Sequence, residues 1–193
     1  ITSMGEVPMS VMGRHNLANA EGARWLAQEM GVQEADFYEA IASFQGAQRR
    51  LERLAQSQRR DVYLDFAHAP SKVAATTAAF SESFGSRPVW GLLELHTFSS
   101  LNPAFLPGYA GSLTGLDRAL VLFDPDAVAH KNLPPLAPEA VLAAFGPGVE
   151  VFTDAKALRE LIERESPDEL NLLIMSSGNL GGWDVRTWAP DFV

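Results

Sequence analysis

Three polar segments in this chain stand at the ends of apolar runs. Asp65-Phe66-Ala67-His68-Ala69-Pro70 closes one run, Glu94-Leu95-His96-Thr97-Phe98-Ser99-Ser100 the next, and Ser176-Ser177-Gly178-Asn179 the last. Asp65 can span two ribose hydroxyls, because each carboxylate oxygen accepts. The same carboxylate can instead serve a turn or cap the helix that Pro70 opens. His68 and His96 are proton carriers or metal ligands by type, yet their separation matches no short metal-ligand spacing. The bland alternative for each is a hydrogen-bonded structural histidine. Arg49-Arg50 offers guanidinium forks to a phosphate, or forms a solvated pair. Ser176, Ser177 and Gly178 offer hydroxyls and N–H groups to an anion, or form a turn.

The apolar periodicity supplies the elements that must hold these groups. Arg60–Phe66, Pro88–Leu95, Arg118–Phe123, Val149–Phe152 and Leu170–Met175 are short, nearly continuous apolar runs. Strands of that kind are buried on both faces, as in a parallel sheet between helices. Between them, helical spacing predicts helices from Pro70, over Ala104–Leu113, over Pro138–Phe145 and over Asp154–Glu165, the last capped by Thr153 or Asp154. The long segment 124–137 is rich in Pro and reads as a loop. Ahead of this alternation, Glu6–Met12 reads as a strand, Asn16–Met30 as a helix stopped by Gly31, and Glu34–Phe44 as a second helix ended by Gly46, a candidate hinge. The expected fold is an α/β, Rossmann-like, open, mostly parallel sheet with helices on both faces, preceded by a short strand-helix-helix tail of another domain. In such a sheet ligands bind beyond the carboxyl ends of the strands, where the three polar segments would converge.

Composition narrows the chemistry. The 193 residues contain no Cys, which removes disulfides, Cys-ligated metals and thiol nucleophiles. Against 24 Asp and Glu stand 15 Lys and Arg, a formal charge of −9 that argues against a general nucleic-acid binder. No apolar run approaches the ~20 residues of a membrane span, and a cytoplasmic globular chain is expected. There is no G-x-S-x-G, and Lys72, Lys131 and Lys156 are the only lysines, none within a G-x-x-x-x-G-K-[ST] cradle.

Three blocks in order carry a resemblance: Gly13-Arg14-His15-Asn16-Leu17-Ala18-Asn19-Ala20, Phe44-Gln45-Gly46-Ala47-Gln48-Arg49-Arg50-Leu51-Glu52, and Asp65 to Pro70. With them the chain resembles the Mur ligases over essentially its whole length. The resemblance implies that residues 1–46 end the central ATP-binding domain and 47–193 form the C-terminal domain. It implies an ATP-dependent ligation in which the carboxylate of UDP-N-acetylmuramate becomes an acyl phosphate that an amine then displaces, with Mg²⁺ held mainly by another domain. By the same resemblance His15 and Asn16 contact the base region of the nucleotide, Arg50 the phosphates and Asp65 the ribose, while His68 shapes that turn. Glu94, His96, Ser99, Ser176 and Asn179 are placed on the amine side by position alone.

Arg49-Arg50-Leu51-Glu52, Phe66 and the segment Met175 to Gly182 are similar to the branch of the family that attaches a preformed peptide, L-alanyl-γ-D-glutamyl-meso-diaminopimelate. Two departures bear on the amine. His96-Thr97-Phe98-Ser99-Ser100 stands where the L-alanine ligases carry His followed by Arg, and Ala69 replaces the second His of the usual Ala-His-His-Pro. The L-alanine ligase and a non-catalytic binding module of the same fold are the alternatives. The chain by itself, without a phosphate cradle, is expected to be inactive.

Overall fold

A computed structural model of the chain describes residues 5–9, 13–44, 48–84 and 86–193. Helices α1 (Arg14–Glu29) and α2 (Glu34–Ala42) come first and pack on each other. Gly31, at φ 91°, ends α1 in the left-handed conformation that glycine adopts without Cβ strain, and Val32 N–H returns to the Ala27 carbonyl. Residues 6–9 of the expected first strand carry no regular structure; its remainder, and Gly46, lie outside the described residues.

The remaining elements are β1 (Glu52–Gln56), β2 (Arg60–Asp65), α3 (Pro70–Ser83), β3 (Val89–Leu95), β4 (Arg118–Phe123), α4 (Pro125–His130), α5 (Pro138–Phe145), β5 (Val149–Phe152), α6 (Ala155–Glu165), β6 (Leu170–Met175) and α7 (Val185–Phe192). They form one six-stranded sheet in the order β1-β2-β6-β3-β4-β5. Only β1 runs antiparallel. The doubly covered parallel sheet is therefore present as expected.

Side chains alternate between the two faces with the strand period of two. Tyr63, Leu93, Val121, Phe123 and Leu173 enter one core with Val73 and Phe80 of α3 and Val141 and Phe145 of α5. Val62, Leu92, Leu120, Leu172 and Ile174 enter the other with Leu158 and Ile162 of α6 and Trp188 and Phe192 of α7. Each such residue contributes about 1.5–3 kcal/mol by leaving water. This double burial is why the strands read as unbroken apolar runs.

Two expectations change, at 104–113 and 124–137, and two elements, at 52–56 and 185–192, carried none. The polar segment Glu52–Gln56 is an edge strand, held by its ladder to β2 and irregular between Arg53 and Ala55; an edge needs no apolar alternation. Within Ala104–Leu113 only Leu106–Tyr109 winds, as a 3₁₀ turn, because Pro107 lacks an N–H and Gly111 takes φ 71°. Segment 124–137 contains α4, whose start is the Asp124 side chain accepting Asp126 N–H at 2.8 Å, with Pro125 beside the cap. Finally, α7 follows the last polar segment, with Asp184 as its cap and Pro190 inside it.

The connection from β2 passes over β6 to reach β3 by way of α3, whereas α6 returns the chain from β5 to β6 across the opposite face. The winding reverses around β6, and a crevice opens at its carboxyl end.

Candidate functional site

The tips of β2, β6 and β3 are neighbours: Asp65 pairs with Met175 and Met175 with Leu93. Ser176 N–H continues the ladder to the Asp65 carbonyl at 2.9 Å. The three polar segments are thereby brought to one edge.

Asp65 organises the first part of that edge. It is buried, and one oxygen accepts Leu51 N–H at 2.7 Å. The other accepts Ala67 N–H at 2.7 Å and the Thr76 hydroxyl at 3.3 Å. Helix α3 starts at Ala69 without a side-chain cap, so Asp65 does not cap it; it ties the turn before β1 to the turn after β2 and takes one hydroxyl from within α3.

The turn it holds is strained. Arg49 and Leu51 take φ 55° and 49°, left-handed values that cost a non-glycine residue about 1–3 kcal/mol. The surroundings fix it at several points. Phe66 N–H binds the Arg49 carbonyl at 2.7 Å, and Arg49 N–H binds Glu52 at 2.7 Å. Glu52 in turn receives both arms of the Arg186 fork at 2.8 Å. That guanidinium holds the Glu52 carboxyl below the usual carboxylate value, and Glu52 raises Arg186. Between the two strained residues stands Arg50, exposed; among the described residues neither Arg49 nor Arg50 takes part in an ion pair.

A second cluster occupies the tips of β3 and β6. Glu94, 4% exposed, accepts the Ser176 hydroxyl on one oxygen and Leu180 N–H at 2.9 Å on the other. Ser176 receives Gly178 N–H at 3.0 Å. His96 Nδ1 lies 3.7 Å from Glu94. A Cβ on Gly178 would come within 2.5 Å of His96 Cγ and 2.7 Å of Glu94 Oε2, so only glycine fits.

Two clefts flank this cluster. One of 270 Å³ is lined by Arg49, Ser176, Gly178, Asn179, Trp183 and Arg186 among others. The other, of 400 Å³, is lined by Glu94, Asp124, Thr153, Asp154 and Lys156 with neighbouring apolar groups. Asp124 and Asp154 there are also helix caps.

Of the residues singled out from sequence, Arg50, Asp65, Glu94, His96, Ser176 and Asn179 belong to this edge. His68 follows the tip of β2, and its ring meets the Phe66 carbonyl at 2.9 Å while its own carbonyl accepts the Tyr109 hydroxyl. Burial pushes Tyr109 up to about 12. Ser99 is exposed and bonds to Thr97 at 3.2 Å, a local turn contact. Asn16 lies in the first turn of α1, outside the lining of both clefts. His15 shares that turn, and its side chain is outside the described part. Sequence reasoning missed Arg186 and Trp183. Their one signal was Asp184 followed by apolar residues at helical spacing, an N-cap pattern. Among the described residues no three His, Cys, Asp or Glu converge on a metal position.

No family model matches the chain. It is 30% identical over 178 residues to UDP-N-acetylmuramate–L-alanine ligase of Acidithiobacillus ferrooxidans, covering 91% of this chain and 38% of that protein. It is 31% identical over 180 residues to UDP-N-acetylmuramate–L-alanyl-γ-D-glutamyl-meso-2,6-diaminoheptandioate ligase of Escherichia coli, covering 93% of this chain and 38% of that one. The chain thus spans under two-fifths of the curated relatives it matches. Its fold is similar to that of the UDP-N-acetylmuramate-alanine ligase from Thermotoga maritima, with a TM-score of 0.70 at 19% identity over 89% of this chain and 36% of that one.

Proposed function

This chain belongs to the Mur ligase family, and on that premise we propose that it is the C-terminal portion of an ATP-dependent amide-forming ligase. In this reading residues 1–46 end the central ATP-binding domain and 47–193 form the C-terminal domain. The enzyme joins UDP-N-acetylmuramate to L-alanyl-γ-D-glutamyl-meso-diaminopimelate in the cytoplasm.

The observation that carries the reading is the strained turn that delivers Arg50 beside Asp65 at the carboxyl edge of the sheet. Strain of this size persists where the surroundings over-determine it, and functional sites are where it gathers. ATP supplies the phosphoryl group that activates the muramyl carboxylate. Arg50 offers a fixed cation to the phosphates. Asp65 has about four lone-pair directions and uses two on the turns and one on Thr76 of α3, which leaves one for a ribose hydroxyl. His15 and Asn16 approach the base and His68 supports the turn. Glu94, His96, Ser99, Ser176 and Asn179 face the amine. Mg²⁺ would be held mainly by residues of the central domain.

The choice of peptide over L-alanine is supported by the segment after β3, where no arginine follows His96. Identities of 30% and 31% to the two kinds of relative weigh equally. The test is ligation by the full-length parent, given ATP, UDP-N-acetylmuramate and equal concentrations of L-alanine and the peptide. Preference for the peptide is expected, preference for L-alanine overturns the assignment of the amine, and ligation of neither overturns the ligase reading.

A further inference from the structure

The ligase reading leaves one chemical need unassigned. An amine reaches the site as an ammonium at neutral pH and has no lone pair with which to attack an acyl phosphate. The geometry points to His96 as the group that takes its proton, with Glu94 and Gly178 as the residues that position the ring. The inference rests on that reading and names a role within the same edge.

Three observations converge on His96. Its side chain is one-third exposed just past the carboxyl tip of β3, in reach of solvent, beside the two clefts rather than in their lining. Its Nδ1 faces Glu94, whose oxygens also receive the Ser176 hydroxyl and Leu180 N–H, so the carboxylate cannot swing away. Its Cγ and Nδ1 lie against Gly178 so closely that no Cβ fits there. The imidazole is held on its Cγ–Nδ1 side. Nε2, bonded to neither of those atoms, occupies the opposite edge of the ring. A carboxylate 3.7 Å from Nδ1, beyond a direct hydrogen bond, faces one edge of the ring and leaves Nε2 on the other to meet a proton, the placement a general-base histidine needs.

The step balances as follows. One ammonium proton passes to Nε2 and the nitrogen recovers its lone pair. The new C–N bond forms at the acyl carbonyl, the C–O bond to phosphate breaks, and phosphate leaves with that electron pair. The remaining surplus N–H proton goes to the departing phosphate, and imidazolium returns its proton to solvent. Besides Glu94, the charged groups around this edge include, among the described residues, Asp124, Asp154 and Lys156 on one side, Arg49, Asp184 and Arg186 on the other, and Asp65 and Arg50 at the tip of β2.

The test uses the full-length parent with the His96→Asn and Glu94→Gln variants, and two nucleophiles. With the amine substrate, His96→Asn should lower kcat by ~10²-fold or more. KM for UDP-N-acetylmuramate should stay unchanged, and kcat should keep rising with pH beyond the wild-type plateau, because the free amine must then form in solution. Glu94→Gln should lose less, in the same direction. Hydroxylamine is uncharged at neutral pH and needs no base, so its conversion to the hydroxamate should proceed at the wild-type rate in His96→Asn. Equal losses with both nucleophiles would assign His96 a structural role and overturn the proposal. A wild-type kcat and pH profile in His96→Asn would overturn it as well. A wild-type parent that ligates no amine would remove the ligase reading and this inference with it.

Discussion

Replacing Asp65 by Ala tests how the edge is built. The substitution removes the acceptor of Leu51 N–H and Ala67 N–H, both at 2.7 Å, and of the Thr76 hydroxyl at 3.3 Å. Leu51 and Ala67 are both buried, so water replaces the carboxylate poorly. Two buried amides left without a partner cost about 1–3 kcal/mol each. Part of that returns if the turn springs open, since each of Arg49 and Leu51 stores about 1–3 kcal/mol, but the ties of Arg49 to Phe66 and Glu52 keep the opening partial. The net expectation is a loss of about 2–4 kcal/mol, or roughly 5–15 °C in Tm for a chain of this size. Asp65→Asn should lose about half as much or more, since its amide group sets a donor against one of the two N–H groups. Urea unfolding gives the stability, and amide hydrogen exchange at Leu51 reports the turn directly. A variant within about 0.5 kcal/mol of the parent, with Leu51 as protected as before, would refute the claim that Asp65 holds this turn.

Gly178→Ala places a methyl group within 2.7 Å of both Glu94 and His96. Because Ser176 and Leu180 pin Glu94, His96 must give way, with a loss of about 1–3 kcal/mol in urea unfolding and a displaced His96 imidazole signal by NMR. Stability should also respond to pH at both ends. Glu52 is held below its usual value of 4.5 by Arg186, so its contribution is present above that value and fades as pH falls through the lower folded-state value. Tyr109 is raised by burial from 10.0 to about 12, so its contribution is complete below pH 10 and is lost as pH climbs toward 12. Thermal melts across both ranges read these limbs, and Glu52→Gln and Tyr109→Phe should each flatten the corresponding one.

The legible part of the fold was the part with a simple physical signature. Unbroken apolar runs at β2, β3, β4 and β6 mean burial on both faces, and that alone implies helices above and below. The strand-tip residues Asp65, Glu94, His96 and Ser176 were legible for the same reason, since a parallel sheet brings its carboxyl ends to one edge. What escaped has weak local signals. Glu52–Gln56 is polar because an edge strand is stabilised by a neighbour's ladder rather than by its own burial. The helix Val185–Phe192 is short and carries Pro190; its stability comes from Trp188 and Phe192 entering a core that other elements create. The run 104–113 shows helical spacing, but Pro107 and Gly111 break it.

The amino-acid sequence by itself determined the layers of this protein, the order of its strands along the chain and the identity of the polar groups at their ends, because burial and periodicity are local properties of side chains. Only the tertiary structure decided what those groups hold. Asp65 meets Leu51, Glu94 meets Ser176 and Leu180, and Arg186 meets Glu52 across separations of 14, 82, 86 and 134 residues. Partnerships that distant leave no periodic trace, since they exist only once the sheet has brought the strand ends together.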